Sequence, residues 1–447
     1  MDPKIVFCTD IELPFIYGTF FEMTYKLIQE KNDVYVCVII GDRQINRIKN
    51  ILNFINKKLI FDKSKIISFK GIKSLNIGTQ DKINDYASFF AKKISNIISL
   101  KNLMYEGFDI GVPVASSLSI KTKCSNPDVA ENEEMIKNYI KYSAFTYEAA
   151  KSIVDNNKYS GYYVYNGRTY NTYPITCLTD SEKTCYYERS CKHRKLRIQK
   201  HRLHDFLENS KLAYEYWAKT NDNTKKEKAI LFYNENRKNR YTKNFSDNSE
   251  FISNKKIISF FNSSDDEFKY LHPGIRTGSL FTSQEEAVKW LIKWAEDQSE
   301  YIIVIRVHPH QEDKCSQDRN FWNKLKAENV IVVPSSSDID SYALIRKSDK
   351  VISYLSTIGI EATYYGKPSI ILGNAPYVGH DVVYEPSSLN ELTNLLSRKL
   401  EPKPKENCLP YGYFRATFGL DFEFLHSMNL ETFEELDSLI FDPESVI

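Results

Sequence analysis

A chain of 447 residues, 42% apolar and 13% aromatic, is long enough for two or three domains with real cores, which excludes a disordered protein. Sixty basic against 58 acidic residues leave a formal charge of +2, so no global field argues for nucleic acid or an anionic membrane. The start carries no basic segment followed by a long apolar run, and no later window resembles a membrane span, so a cytoplasmic protein is expected.

Residues 4–10, KIVFCTD, read as a short apolar strand ending in Asp10, with Glu12 and Gly18 close behind, as an α/β domain begins. Helical spacing at Phe20, Met23, Tyr25, Leu27 and Ile28 leads to a second strand over 34–40. A polar helix is predicted over 82–98, a Gly-, Pro- and Ser-containing loop entering a helix over 105–120, and a long amphipathic helix over 131–154. The strand in GYYVYNGR then ends at the polar turn Asn166-Gly167-Arg168, and CYYERS is a further strand end carrying Glu188 and Arg189. The basic run over 191–205 reads as a solvated, partly helical surface rather than a nucleic-acid patch, because only scattered Leu and Ile interleave its charges, with an anion-binding wall for a phosphorylated substrate as a third reading. Eight scattered cysteines do not make a disulfide framework and are expected to stay reduced. Cys177, Cys185, Cys191, His193, His201 and His204 cluster in sequence without a C-x2-C or H-x3-H pair, so no structural metal is expected.

Apolar residues thin out over 217–228, which places a domain boundary at 222. A new α/β pattern follows: strands over 229–235 and 255–264, then a helix opened by a capping box of Ser283 and Glu286, with Ala287, Val288, Trp290, Leu291, Trp294 and Ala295 as its buried stripe. Next come the strand in YIIVIRVHPH, a helix over 321–327, the strand VIVVP and the helix SYALIRK. Residues 350–372 hold strand, tight turn, helix, Gly366 stop and strand in quick succession. Such alternation calls for a parallel sheet with right-handed crossovers. After a loop with His380-Asp381 and a helix over 389–400, the segment 401–447 is expected to return to the first domain.

Ligands of an open parallel sheet bind beyond the carboxyl ends of its strands. Ser356 and Thr357 stand there, placed to hold a phosphate, and Glu361 follows about one helical turn later, within reach of a neighbouring sugar hydroxyl. Arg306, His308 and His310 alternate along another strand end and suit a phosphate clamp. Asp338-Ile339-Asp340 reads as a helix cap rather than a metal-binding D-x-D.

Two successive α/β halves, a strand-end HP and a phosphate turn followed by E-A-x3-G-K-P resemble the GT-B glycosyltransferases, two Rossmann-like parallel-sheet domains facing a cleft. Within them the chain resembles the bacterial capsule and lipopolysaccharide biosynthesis proteins, over roughly residues 160–400. The resemblance implies transfer from a nucleotide-sugar donor, CMP- or UDP-linked, to a glycan or glycolipid acceptor, with 1–222 on the acceptor side and 223–400 binding the donor. It assigns Glu361 to the ribose, Ser356, Thr357 and Gly359 to the donor phosphates, and His308 to phosphate and catalysis. The helix lacks the first acidic residue of the E-x7-E pattern of many retaining enzymes, Ser353 or Tyr354 standing in that region, which leaves retaining chemistry unsupported. Candidate bases are Asp10, Glu12 and Glu188, with Asn166 and Arg168 on the acceptor side. Metal-free transfer, no nucleic-acid partner and peripheral contact with the inner membrane or other assembly enzymes complete the expectation. A polyol-phosphate transferase, a sugar-nucleotide epimerase and a non-catalytic assembly protein are the alternatives.

Overall fold

A computed structural model describes residues 3–9, 14–40, 65–156, 159–190, 195–237, 255–264, 268–271 and 280–423. The first half contains β1 (Pro3–Thr9), α1 (Pro14–Gln29), β2 (Asp33–Ile40), β3 (Ile66–Lys70), α2 (Ile77–Lys93), α3 (Ile97–Lys101), α4 (Gly111–Thr122), α5 (Glu133–Val154), β4 (Gly161–Tyr165), α6 (Tyr173–Thr176), β5 (Thr184–Arg189) and β6 (Leu196–Gln199). Its sheet runs β3-β2-β1-β4-β5-β6, parallel except for the antiparallel β5–β6 edge. Period-two alternation explains why both faces are buried. Ile5 and Phe7 enter the core built with α2, α4 and α5, whereas Val6 and Cys8 enter the core covered by α1.

The second half contains α7 (Phe206–Lys219), α8 (Lys225–Arg237), β7 (Lys256–Phe261), α9 (Gln284–Glu296), β8 (Tyr301–Arg306), α10 (Ser316–Asn323), β9 (Val330–Val333), α11 (Ser341–Lys347), β10 (Lys350–Ser353), α12 (Ile358–Tyr364), β11 (Ser369–Ile371), α13 (Leu389–Ser397) and α14 (Leu409–Thr417). The sheet is wholly parallel, in the order β11-β10-β7-β8-β9. Again neighbours part company, Ile258 and Phe260 facing one core, Ile257 and Phe261 the other. The expected architecture of two parallel-dominated α/β sheets is therefore present.

Several local expectations need correction. Residues 229–235 are helical, within α8, because the positions that find a core are Ala229, Phe232 and Tyr233, while Ile230 and Leu231 stay 40% and 54% exposed. That spacing is i, i+3, i+4, which only a helix can bury on one side. The basic run over 191–205 is not helical where it is described: it contributes β6, whose Arg197 and Gln199 are buried, and residues 191–194 lie outside the described residues. The helix expected over 321–327 occurs earlier, as α10. Ser283 caps α9 by accepting from the Glu286 amide, but the Glu286 carboxylate reaches back to Thr282 rather than to Ser283, so the box is not reciprocal.

The halves are tied at several points. The main tie is a disulfide between Cys124 and Cys315, with Cα atoms 5.2 Å apart and 191 residues between them. This corrects the expectation of reduced thiols, since only the meeting of the chain just after α4 with the start of α10, where the Cys315 amide also donates to the Lys123 carbonyl at 3.1 Å, brings these cysteines together. Next to it Ser125 donates from its amide and its hydroxyl to the two carboxylate oxygens of Asp318, both at 2.7 Å. α7, which follows β6 directly, is itself part of the second half: Phe206 joins the core of Ile258 and Ser210 Oγ donates to the Val378 carbonyl at 2.8 Å. α14 lies against α7 and α8, and the chain then reaches the first sheet, where Leu420 bridges Leu196 and the Glu423 amide donates to Glu22 at 2.7 Å. Residues 424–447, the rest of the expected returning segment, lie outside the described residues. Among the described residues no helix is long and apolar enough to cross a membrane.

Candidate functional site

Each sheet reverses its strand order once, and in open α/β sheets the ligand crevice opens at that point, beyond the carboxyl ends of the two strands. In the second sheet the pair is β7 and β10. Beyond β7 lie Asn262, Ser263 and Ser264; beyond β10 the chain turns through Leu355, whose φ of 60° is costly for a β-carbon-bearing side chain, into Ser356 and Thr357. Ser263 Oγ donates to the Tyr354 carbonyl at 2.6 Å and so ties the two strand ends together. The Gln284 side chain, from α9, accepts from the Ser263 amide at 2.8 Å and donates to its carbonyl at 2.9 Å. Ser264 Oγ is buried with no partner among the described residues, so it is placed to meet a ligand.

His308 follows β8 beside this crevice, its amide donating to Asn262 Oδ1 at 2.7 Å. Its Nδ1 accepts from the His310 amide at 3.2 Å, which places the proton of the neutral ring on Nε2. Burial, aided by the charges of His310, Arg306 and Lys314, pushes the ring's pKa down to about 3. His308 is thus a neutral Nε2–H donor, suited to a phosphate oxygen.

Three site expectations are corrected here. Arg306 is 3% exposed, and its guanidinium donates to the carbonyls of Val307, Pro334 and Ser337, so it braces strand-end loops instead of clamping phosphate. Glu361 is also 3% exposed and accepts from the Tyr342 hydroxyl, so it does not stand open to a ribose. A Cβ on Gly359 would lie 2.5 Å from both Ser353 Oγ and the Tyr377 hydroxyl, so this glycine makes room for protein packing rather than for phosphate. Ser356 and Thr357 are half-buried at the turn. Thr357 makes no side-chain cap, while Ser356 Oγ accepts from the Ile358 amide at 3.3 Å. Asp340 caps α11 through the amides of Tyr342 and Ala343, as its sequence position implies.

In the first sheet the order reverses between β1 and β4. Asp10 and Glu12, beyond β1, lie outside the described residues. Beyond β4, Asn166 and Gly167 both take positive φ, 54° and 71°, and a Cβ on Gly167 would fall 2.5 Å from the Tyr186 ring. This turn brings Asn166 Nδ2 to 3.4 Å from Glu188 Oε2, so these two residues do converge. Burial raises the Glu188 pKa against the opposing charges of Arg197 and Arg415, which suits a carboxylate asked to accept a proton near neutrality. Arg168 Nε donates to Ser116 Oγ at 2.8 Å, and its Nη1 lies 3.3 Å from His204 Nε2. A narrow pocket, with room for little more than a water molecule, brings Asn166 and Arg168 together with Arg202, His204 and Tyr270. Arg202 was legible only as a member of a basic run, His204 also as a member of the cysteine–histidine cluster, and Asn262–Ser264 only as the polar end of a strand.

Among the described residues, one set of potential metal ligands converges: Cys124, Cys315 and Asp318. Its sulfurs are bonded to each other and its carboxylate is taken by Ser125, so the set serves structure. Cys177, Cys185, His201 and His204 form no such group, and Cys191 and His193 lie outside the described residues.

The family model described as "Capsule polysaccharide biosynthesis protein" matches residues 174–403, more than half of the chain, from α6 through the whole second sheet. The chain belongs to this family. No curated protein matches it. Among solved structures, this capsule-synthesis chain is similar to the KpsC beta Kdo 2,7 transferase of Thermosulfurimonas dismutans, at 17% identity over 60% of this chain and 80% of that one, with a TM-score of 0.36. It is similar to MnaA of S. aureus in a co-structure with UDP, at 10% identity over 94% of each chain, with a TM-score of 0.28. A glycosyltransferase of Rickettsia africae matches at 13% identity over 99% of each chain, with a TM-score of 0.28. Likenesses this loose decide nothing about the reaction.

Proposed function

We propose that this capsule-synthesis family member is a glycosyltransferase that moves a sugar from a CMP- or UDP-sugar to a growing bacterial surface polysaccharide or lipopolysaccharide. The observation that carries the reading is the crevice between β7 and β10, which lies inside the matched region, with His308, Ser264 (its hydroxyl unpartnered among the described residues), Ser356 and Thr357 following the ends of the neighbouring strands β8, β7 and β10. Glycosyl transfer needs the departing phosphate stabilised as its charge develops, and preformed neutral donors in a sheltered crevice supply that. The Nε2–H of the neutral His308 ring donates to a bound phosphate oxygen and so stabilises the departing charge without giving up its proton. Opposite chemistry, removal of the acceptor's proton, falls to Glu188, which Asn166 orients. Transfer by these groups requires no divalent ion.

The test is product analysis with radiolabelled CMP-, UDP-, GDP- and CDP-sugars and a capsule or lipopolysaccharide fraction as acceptor. Expected is release of one nucleotide with label passing to the glycan, unaffected by EDTA. Isomerised sugar nucleotide without acceptor would make it an epimerase, transfer of a polyol phosphate would make it a phosphotransferase, and no thermal shift with any of the four nucleotides would make it a non-catalytic assembly protein.

A further inference from the structure

Beside the narrow pocket at Asn166 and Arg168 the first half holds a roomier hollow, lined by Glu106, Phe108, Asp109, Tyr147, Tyr173 and Cys177. It opens to solvent and leaves about 230 Å³ free, many times what a water needs and room for one sugar ring. Its rim is a tight turn. Tyr105 and Phe108 exchange both backbone hydrogen bonds, each 2.9 Å, and between them Glu106 and Gly107 take φ of 48° and 85°, the geometry of a two-residue hairpin. Lys82 pairs with the Glu106 carboxylate and fixes it at the mouth. Asp109 stands half-buried at the entry to α4, where its carboxylate makes no hydrogen bond or ion pair with another described residue. Phe108 and Tyr147 stack at 4.5 Å with 15° between their planes and, with Tyr173, make the wall aromatic.

These groups select a ligand class. Desolvation in the wall pushes the Cys177 thiol up to about 11, so it is neutral at ordinary pH. The two carboxylates are offset by Lys82 and by Lys151, whose Nζ lies 6.0 Å from the centre of the Tyr147 ring. The lining is therefore rich in hydrogen-bonding groups without a strong net charge. Carboxylates accept from several hydroxyls at once and repel a phosphate or an acidic sugar, while aromatic carbon covers the C–H face of a sugar ring. A nucleotide would also outgrow the space. Tyr173 lines both this hollow and the narrow pocket of Asn166 and Arg168, so the two adjoin, and Asn166 in turn reaches Glu188. We propose that the hollow binds an uncharged sugar unit of the acceptor glycan, inward of the hydroxyl presented to Glu188, with its own hydroxyls on Asp109 and Glu106 and its carbon face on the aromatic wall. The proposal deepens the glycosyltransferase reading and rests on it for the role of acceptor; sugar binding is measured apart from transfer.

Cys177 supplies the readout, because it is exposed whereas Cys8, Cys37, Cys185 and Cys408, the other free cysteines among the described residues, are buried. The full chain is alkylated with N-ethylmaleimide at fixed pH in the presence of methyl glucoside, methyl galactoside or methyl N-acetylglucosaminide, and modification of the Cys177 peptide is followed by mass spectrometry. At least one of these neutral glycosides slows the labelling about tenfold or more at roughly 100 mM, the protection given by a site with a Kd of about 10 mM. Glucuronic acid and UDP at the same concentration do not. Asp109→Ala raises the half-protecting concentration about tenfold or more, the loss of charge-assisted hydrogen bonds, and Asp109→Asn, which keeps the size of the side chain, falls between. Absence of protection by all three glycosides, equal protection by glucuronic acid or UDP, or protection unchanged in both Asp109 variants overturns the proposal. Absence of glycosyl transfer in the labelled-donor assay would sink the functional reading while leaving this protection intact.

Discussion

At the scale of single residues, the positions singled out by motif turn out to divide by what their atoms already touch. Glu361 holds the Tyr342 hydroxyl inside the core between α11 and α12. Glu361→Ala should leave that hydroxyl buried and unpaired and cost about 1–3 kcal/mol in urea unfolding, while Glu361→Gln, which still offers an acceptor, keeps most of the stability. Gly359→Ala should cost a similar amount, about 1–3 kcal/mol, because its methyl group would overlap Ser353 and the fully packed Tyr377. His308 and His204 give a pH signature. Both are held at about 3 in the folded protein against an ordinary 6.5, burial being the first cause. The unfolded chain therefore binds more protons between those values, and stability is full above 6.5 and falls as the pH drops toward 3. Thermal midpoints measured from pH 7.5 down to 5, values chosen to span roughly the upper part of that window, should fall less steeply in His308→Gln than in the wild type. Equal slopes would place that ring in water.

Elements position the donor crevice through contacts that lie behind it. Gln284, in the first turn of α9, grips Ser263 at both its amide and its carbonyl, and Ser263 in turn grips the end of β10. Gln284→Ala should therefore cost about 1–3 kcal/mol for the orphaned backbone groups, and should weaken nucleotide binding although the residue itself is fully buried behind the crevice. A nucleotide titration that finds the affinity unchanged would show that the strand ends hold their places without α9.

For the whole molecule the decisive joint is where the chain just after α4 meets the start of α10. The Cys124–Cys315 bond closes a very long loop, and beside it Ser125 and Asp318 share two hydrogen bonds. Cys124→Ser with Cys315→Ser should lower stability by about 2–4 kcal/mol, and a reductant should lower the thermal midpoint of the wild type but not of the double variant. A wild-type midpoint insensitive to reductant would mean that the non-covalent contacts alone hold the two halves.

Local order was largely legible before folding. Period-two runs such as KIVFCT and KIISFF can bury both faces only as interior parallel strands, and Gly366 and Asp340 mark a helix end and start by backbone and side-chain chemistry that acts within a few residues. The NGR turn was legible for the same reason. Where the sequence misled, a short apolar run had two periodicities available, as in α8, and only the surface it met chose between them. Function was harder still. Whether Glu361, Arg306 and Gly359 face a ligand or the core depends on which side chains arrive from distant elements, and Tyr342, Pro334 and Tyr377 arrived first. The strand orders that create the two crevices, the meeting of Arg202 with Asn166, and the pairing of cysteines 191 residues apart are long-range facts. Residue spacing prescribes which elements form and which faces they hide; which groups are left without partners is decided only when all the elements have packed.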